Sequence, residues 1–183
     1  MKNELMKTIV ASEFKGIAGI EYFNFEEDFV EKNIRCIPMI VRFKMDKAGI
    51  KLKLSEWVKF KVEERIELAL LACSNVEEAC LYNNYLASLI RKYTGNEPTT
   101  LEINKSPGWA NLDKVPEPLQ EQGKKLKRVI TNSQWRSLTN LQRFALLKLL
   151  EQGHENKNFP RAMKEFGLMP QSFMHLRPFK GIH

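Results

Sequence analysis

Histidine is scarce in this chain: 183 residues hold three, His154, His175 and His183, and two of those fall in the last nine positions. No His-Glu-x-x-His, Gly-x-Ser-x-Gly, Gly-x-Gly-x-x-Gly or Walker-type Gly-x4-Gly-Lys-Ser/Thr occurs, so the common zinc, hydrolase, dinucleotide and P-loop signatures are missing. Cysteine is equally sparse. Cys36, Cys73 and Cys80 form no Cys-x-x-Cys, and an odd count outside a secretory context reads as reduced, mostly buried thiols rather than a metal site or disulfide framework. Cys73 and Cys80 would share a helix face only if one helix ran through Ser74 and Asn75, where a break is expected. A nucleophilic pair of Cys36 or Cys73 with His154 finds no support in the spacing. No apolar run approaches the ~20 residues of a spanning helix. The N-terminus, interrupted by Glu4 and Glu13, lacks a secretory apolar region, so a cytoplasmic location is expected.

The chain is rich in charge, with a net +7 and a calculated pI near 9.3. That charge is uneven. Residues 1–30 carry six acidic and three basic groups, and residues 73–122 seven and four. Residues 31–72 carry ten basic and six acidic groups, and residues 123–148 seven basic and none acidic. Two basic blocks in an otherwise acidic chain suit a solvated face, a docking surface for an acidic partner, or a weak nucleic-acid surface.

Those blocks also match each other. Shifted by 78 residues without a gap, residues 37–71 fall on 115–149 with seven identities in 35 pairs, where unrelated sequence gives about two. Pro38 meets Pro116, Lys47 Lys125, Ser55 Ser133, Trp57 Trp135, Arg65 Arg143, Leu68 Leu146 and Leu71 Leu149. Either two amphipathic helical segments coincide, or the chain contains an internal duplication.

Periodicity then predicts a mostly α protein: a single helical domain of two similar helical units, with at most a short two-stranded β pairing. The expected order is an N-terminal extension 1–22 with one helical stretch around Leu5–Phe14, a domain over 23–168 with units about 35–93 and 113–167 and linker 94–112, and a tail 169–183. Phe25 and Phe29 bracket Glu26, Glu27 and Asp28, a short turn with its acids exposed. A helix from Pro38 to Ala48 stops at Gly49. Alternation in Ile50–Leu54 reads as a strand whose candidate partner is 128–132. Ser55 and Ser133 are expected N-caps, and Ser74–Glu77 and Thr139–Gln142 have capping-box spacing. Inward positions are expected at Val62, Ile66, Ala69 and Leu70, and at Val76, Ala79, Tyr82, Leu86, Leu89 and Tyr93. Asn158 should cap a last helix carrying Phe159, Ala162, Met163 and Phe166, and Gly167 should end it.

The candidate interaction or ligand residues are Arg35, Cys36, Arg42, Trp57, Arg65, Arg143, His154, Glu155 and Asn156. The segment 154–159 gathers an imidazole, a carboxylate, two amides and an ammonium at a helix start, where backbone N–H groups favour anions, although capping by Asn158 is the plainer reading. Arg65 and Arg143 would each pair with a carboxylate or with carbonyls at a helix junction, or together clamp an anion. Lys44, Lys47, Lys51, Lys53 and Lys59 read as a solvated edge. No catalytic residue, metal or cofactor emerges.

The runs FNFEEDFVEKNIRCIPMIVRFKMDKAGIKLKLSEWVKF (23–60), LTNLQRFALLKL (138–149) and HENKNFPRAMKEFGL (154–168) resemble the conserved nitrate-reductase-associated protein family, over about residues 23–168. That resemblance implies a non-enzymatic accessory protein supporting maturation, stability or electron delivery of an assimilatory nitrate reductase. Its partner would be the reductase or its ferredoxin electron donor; no cofactor and no membrane are expected, and nucleic acid is the less favoured partner. The alternatives are a small protein or enzyme binding an anion or a molybdenum-cofactor intermediate, and a nucleic-acid-binding regulator. The second is weakened by Glu63, Glu64 and Glu67 among the basic residues and by the lack of interleaved aromatics.

Overall fold

Eight α-helices and one two-stranded sheet make up the ordered framework of the computed structural model, which describes residues 13–27, 36–151 and 157–170. The mostly helical expectation therefore holds. The helices are α1 Met39–Ala48, α2 Leu54–Trp57, α3 Val62–Leu70, α4 Val76–Thr94, α5 Glu117–Lys125, α6 Asn132–Ser137, α7 Asn140–Glu151 and α8 Phe159–Glu165. No helix among the described residues is long and apolar enough to cross a membrane.

The described residues fall into two compact units, one within Met1–Tyr22 and Glu26–Ile103, the other within Phe23–Phe25 and Asn104–His183. The expected linker 94–112 is thus divided between them. In the first unit α1 packs along α4 through Met39, Val41, Met45 and Ala48 on one side and Tyr82, Leu86, Leu89 and Ile90 on the other. Glu26 is buried, against expectation, because its carboxylate accepts the Met39 N–H (2.7 Å) and so satisfies an orphan donor at the start of α1. Residues 13–22 are not a loose extension: Phe14 is 1% exposed and its ring lies 6.4 Å from that of Trp57. The expected helical stretch around Leu5–Phe14 falls mostly outside the described residues, as do Asp28 and Phe29.

Several expected boundaries shift by a residue or two. Asn75 caps α4, accepting the Glu78 N–H (2.9 Å), while the Glu78 carboxylate reaches back to the Ser74 N–H (2.6 Å). Val76 is consequently 88% exposed, and α3 turns Arg65, Leu68 and Ala69 inward while Val62 and Leu70 face out. Ser55 and Ser133 lie inside their helices. The N-cap positions are Lys53 and Thr131, and Glu56 and Gln134 reach back to their N–H groups at 2.8 and 3.0 Å. The Thr139–Gln142 capping box forms as expected (3.1 and 2.9 Å).

β1 (Ile50–Lys51) pairs antiparallel with β2 (Thr99–Thr100), Ile50 opposite Thr100 and Lys51 opposite Thr99, and not with residues 128–132. Pro98 cannot continue a helix, and the β-branched threonines after it extend beside β1. The Leu101 N–H then donates to the Gly49 carbonyl (2.9 Å), so this segment roofs the left-handed turn at Gly49.

In the second unit α7 is the centre, packed by α5, α8 and the 3-10 turn Gly108–Ala110. Phe23 and Phe25 stack on one another (5.4 Å) and Phe23 meets Phe166 edge-on (4.8 Å), while the Glu165 carboxylate accepts the Asn24 and Phe25 N–H groups (2.7 and 3.0 Å). Asn158 precedes α8 but makes no side-chain cap bond.

The 78-residue offset reappears in the coordinates. α1, α2 and α3 begin at 39, 54 and 62; α5, α6 and α7 begin at 117, 132 and 140. The left-handed residues Gly49 (φ 66°) and Lys127 (φ 56°) also stand 78 apart.

Gly49 and Gly95 both need positive φ, but only at Gly49 would an added Cβ collide, 2.9 Å from Ile103 Cγ1. Denaturant unfolding should therefore show Gly95→Ala costing about 1 kcal/mol and Gly49→Ala clearly more, about 2–3 kcal/mol.

Candidate functional site

Each unit is keyed by an arginine lying over a tryptophan. Arg65 of α3 places its guanidinium carbon 5.6 Å from the Trp57 ring centroid; Arg143 of α7 sits 5.7 Å from that of Trp135. Both arginines are buried, and a buried guanidinium must find acceptors. They lie where a short helix ends and leaves carbonyls unpaired. Arg65 Nε donates to the Phe60 carbonyl (3.2 Å); Arg143 Nη1 donates to those of Leu138 (2.5 Å) and Trp135 (3.3 Å).

Their outer partners differ. Arg65 Nη1 binds both carboxylate oxygens of Glu13 (3.1 and 3.2 Å). Arg143 Nε takes the Trp109 carbonyl (2.7 Å) and Nη2 takes Asn140 Oδ1 (2.5 Å). Burial lowers the pKa of Arg143, which nevertheless remains a cation at any biological pH. The rest of this connector is strapped down in the same manner: the carbonyls of Asn111, Leu112 and Asp113 accept from Trp135 Nε1 (2.8 Å), Arg136 Nε (2.9 Å) and Asn132 Nδ2 (3.2 Å). Trp109, half-buried, contributes its carbonyl to this lattice. Each arginine is engaged by carbonyls or a carboxylate of its own unit.

Of the other candidates, Cys36 and Arg42 come together, with Arg42 Nη1 3.6 Å from Cys36 Sγ. Arg35, His154, Glu155 and Asn156 lie outside the described residues. Cys36 is half-buried and Cys73 buried, but Cys80 is exposed on α4, and the expected break at 71–75 separates it from Cys73. Among the described residues no group of His, Cys, Asp and Glu could hold a metal ion.

Sequence reasoning missed one buried polar cluster. Lys44, read as part of a solvated edge, is 9% exposed and donates from Nζ to the Ala69 carbonyl (2.5 Å) in the last turn of α3. Its signal was in the spacing, since Val41, Lys44, Met45 and Ala48 share one helix face. Burial lowers its pKa to about 8, opposed by the charge of Cys73 and reinforced by Lys47. Cys73 Sγ is 3.6 Å from the Lys44 carbonyl, and burial raises the pKa of its thiol. The Tyr82 hydroxyl, fully buried, has no hydrogen-bond partner among the described residues.

The basic block 123–148 is partly internal. Arg143 is buried, Lys148 binds Glu151 (3.1 Å) and Arg136 stands 3.8 Å from Asp113. Lys124, Lys125 and Lys127, at the end of α5, are exposed and make no carboxylate contact among the described residues. In the first unit Lys51, Lys53, Lys59 and Lys61 are likewise exposed.

These features define a mostly helical protein of two arginine-keyed helix triplets, whose exposed cations gather at helix ends and connections. The chain belongs to the conserved nitrate reductase-associated protein family, whose profile matches residues 22–166. No curated protein and no solved structure matches it.

Two outcomes follow from the buried cations. Arg143→Met takes the guanidinium donor from the Leu138 and Trp109 carbonyls and should cost about 2–4 kcal/mol in denaturant unfolding, with Arg143→Lys recovering only part because an ammonium lacks the fork. Lys44 loses its proton near pH 8 when folded but near 10.5 when unfolded. The unfolded chain therefore binds more protons between those values, and this residue's contribution to stability rises with pH across that window, by at most about 3 kcal/mol. The stability difference between Lys44→Met and the parent should shift by that amount from pH 7.5 to 10.5 in favour of the parent; a constant difference would contradict it.

Proposed function

We propose that this protein is a non-enzymatic accessory partner of an assimilatory nitrate reductase, supporting its maturation, stability or electron supply by docking on an acidic protein surface. Family membership supplies the enzyme, and the observation that carries the docking mode is the exposed Lys124, Lys125 and Lys127 at the end of α5, which make no carboxylate contact among the described residues. Lysines presented this way raise the association rate with an acidic surface and lose that advantage as salt screens them. The reading also agrees with where three other cations are: Arg65, Arg143 and Lys44 are engaged by backbone carbonyls inside their own units rather than held open for an anion.

The test is binding of the purified full chain to purified reductase and, separately, to its ferredoxin donor, by surface-immobilised kinetics from 50 to 300 mM salt. The expected result is a complex whose on-rate falls about tenfold over that range, and falls similarly in Lys124→Glu/Lys125→Glu/Lys127→Glu at low salt. Binding indifferent to both salt and charge reversal would refute electrostatic docking. Binding to neither protein would refute the accessory role.

A further inference from the structure

The two units treat one equivalent backbone edge differently. In each, the connection between the first and second helices of the triplet runs from a left-handed residue to an N-cap: Gly49 to Lys53 in the first, Lys127 to Thr131 in the second. The second residue before the cap is exposed in both, Lys51 and Val129, and the next is buried in both, Leu52 and Ile130. In the first unit this connection is β1, roofed by β2 and the chain that follows it.

In the second unit the same connection has no strand beside it among the described residues. Val129 is 69% exposed, and neither its N–H nor its C=O has a partner among the described residues. The edge is nevertheless held firmly. Gln120 brackets Ile130 from both sides, its Nε2 donating to the Ile130 carbonyl (2.5 Å) and its Oε1 accepting the Ile130 N–H (3.2 Å). The Arg128 N–H donates to the Gly123 carbonyl and the Lys127 N–H to that of Lys124 (2.9 and 2.8 Å), a Schellman end to α5. Its left-handed position holds lysine where glycine is usual, a conformation costing about 1 kcal/mol. Lys127 is exposed where Gly49 is covered by residues 101–103, and among the described residues its ammonium joins those of Lys124 and Lys125 without a carboxylate partner.

We infer that the Lys127–Ile130 edge of the second unit is a docking strand, which receives an extended, carboxylate-bearing segment of a partner protein as an added β-strand. The occupant of the equivalent edge supplies the chemistry. Residues 97–102, Glu-Pro-Thr-Thr-Leu-Glu, are extended at their centre, β-branched and acidic at both flanks. Thr99 stands opposite Lys51, so a like residue would stand opposite Val129 and meet its N–H and C=O. The three lysines would face the segment's carboxylates. A long aliphatic residue at the position of Ile103 is excluded, because Lys127 carries the Cβ that would lie 2.9 Å from Ile103 in the first unit. Nucleic acid is the poorer fit: the edge offers a single-residue ladder and an exposed valine, with no aromatic for base stacking. The inference does not depend on which enzyme supplies the segment, so its failure leaves the accessory reading intact.

The probe is a capped hexapeptide of residues 97–102, titrated into the isotope-labelled full chain and followed by amide shifts and hydrogen exchange. The expected result is saturable shifts at 127–130, with exchange of the Val129 amide slowed about tenfold. The same peptide N-methylated at Thr99, which cannot complete the ladder, should bind about tenfold more weakly, as should the E97K/E102K peptide. Extending the peptide by Ile103 should weaken binding to the parent and restore it in Lys127→Gly. Any of four results would overturn the inference: shifts confined to Gly49–Lys51, equal binding of the N-methylated peptide, equal protection of Val129 by an oligothymidylate, or a Val129 amide already protected in the peptide-free chain. In the last case sedimentation would tell whether a second copy of the chain covers the edge.

Discussion

A guanidinium removed from water must be surrounded by acceptors, and both units are arranged around meeting that demand. Helices of four and six residues cannot stand alone, because nucleation is costly and few internal bonds repay it. Their terminal carbonyls are what the arginines require. Arg65 and Arg143 therefore satisfy two deficits at once: the short helix gains an ending and the cation gains a cradle. The stacked tryptophan supplies apolar area below the guanidinium plane and a negative ring face towards it. The third helix of each triplet is thereby tied to the second through a side chain as well as through the short connection between them, residues 58–61 in the first unit and 138–139 in the second.

Beyond that shared key the units diverge in how the outer edge of the guanidinium is closed. Glu13 answers Arg65 with a full negative charge, forming a partly buried ion pair. Trp109 answers Arg143 with a carbonyl, leaving a net positive charge inside the second unit. The same asymmetry recurs at the left-handed turns, where Gly49 is roofed by the following segment and Lys127 is open. In the second unit, then, the keyed arginine is met by carbonyls and an amide oxygen rather than by a carboxylate, and the left-handed turn carries an exposed lysine.

Sequence reading succeeded where a single local rule decides. Gly49 and Gly167 as helix stops, the Thr139–Gln142 capping box, the face of Phe159, Ala162 and Met163, and the 78-residue spacing of Trp57/Trp135 and Arg65/Arg143 were all legible, because neighbours in sequence settle them. The family was legible too, from three long motifs. What was not legible depended on partners far along the chain. The strand pairing of β1 went to Thr99–Thr100, since a segment emerging from α4 reaches β1 without a long crossover. Ser55 and Ser133 lost the caps because Glu56 and Gln134 could reach back to Lys53 and Thr131. Lys44 was taken for surface although its helical spacing placed it among Val41, Met45 and Ala48; charge outweighed periodicity in that reading, and the Ala69 carbonyl that makes its burial tolerable lies 25 positions away.

The ion pair between Glu13 and Arg65, with Phe14 against Trp57, bears on where the folding unit starts. The family profile opens at residue 22, yet the residues that shield the first tryptophan and neutralise the first buried arginine precede it. A chain cut at that boundary would keep every recognisable motif while exposing an indole and stranding a cation in the interior. Homology and cooperative stability therefore have different N-terminal limits in this protein. Relatives that diverge before this point need another carboxylate and another ring, from elsewhere in their chains, to close the same corner.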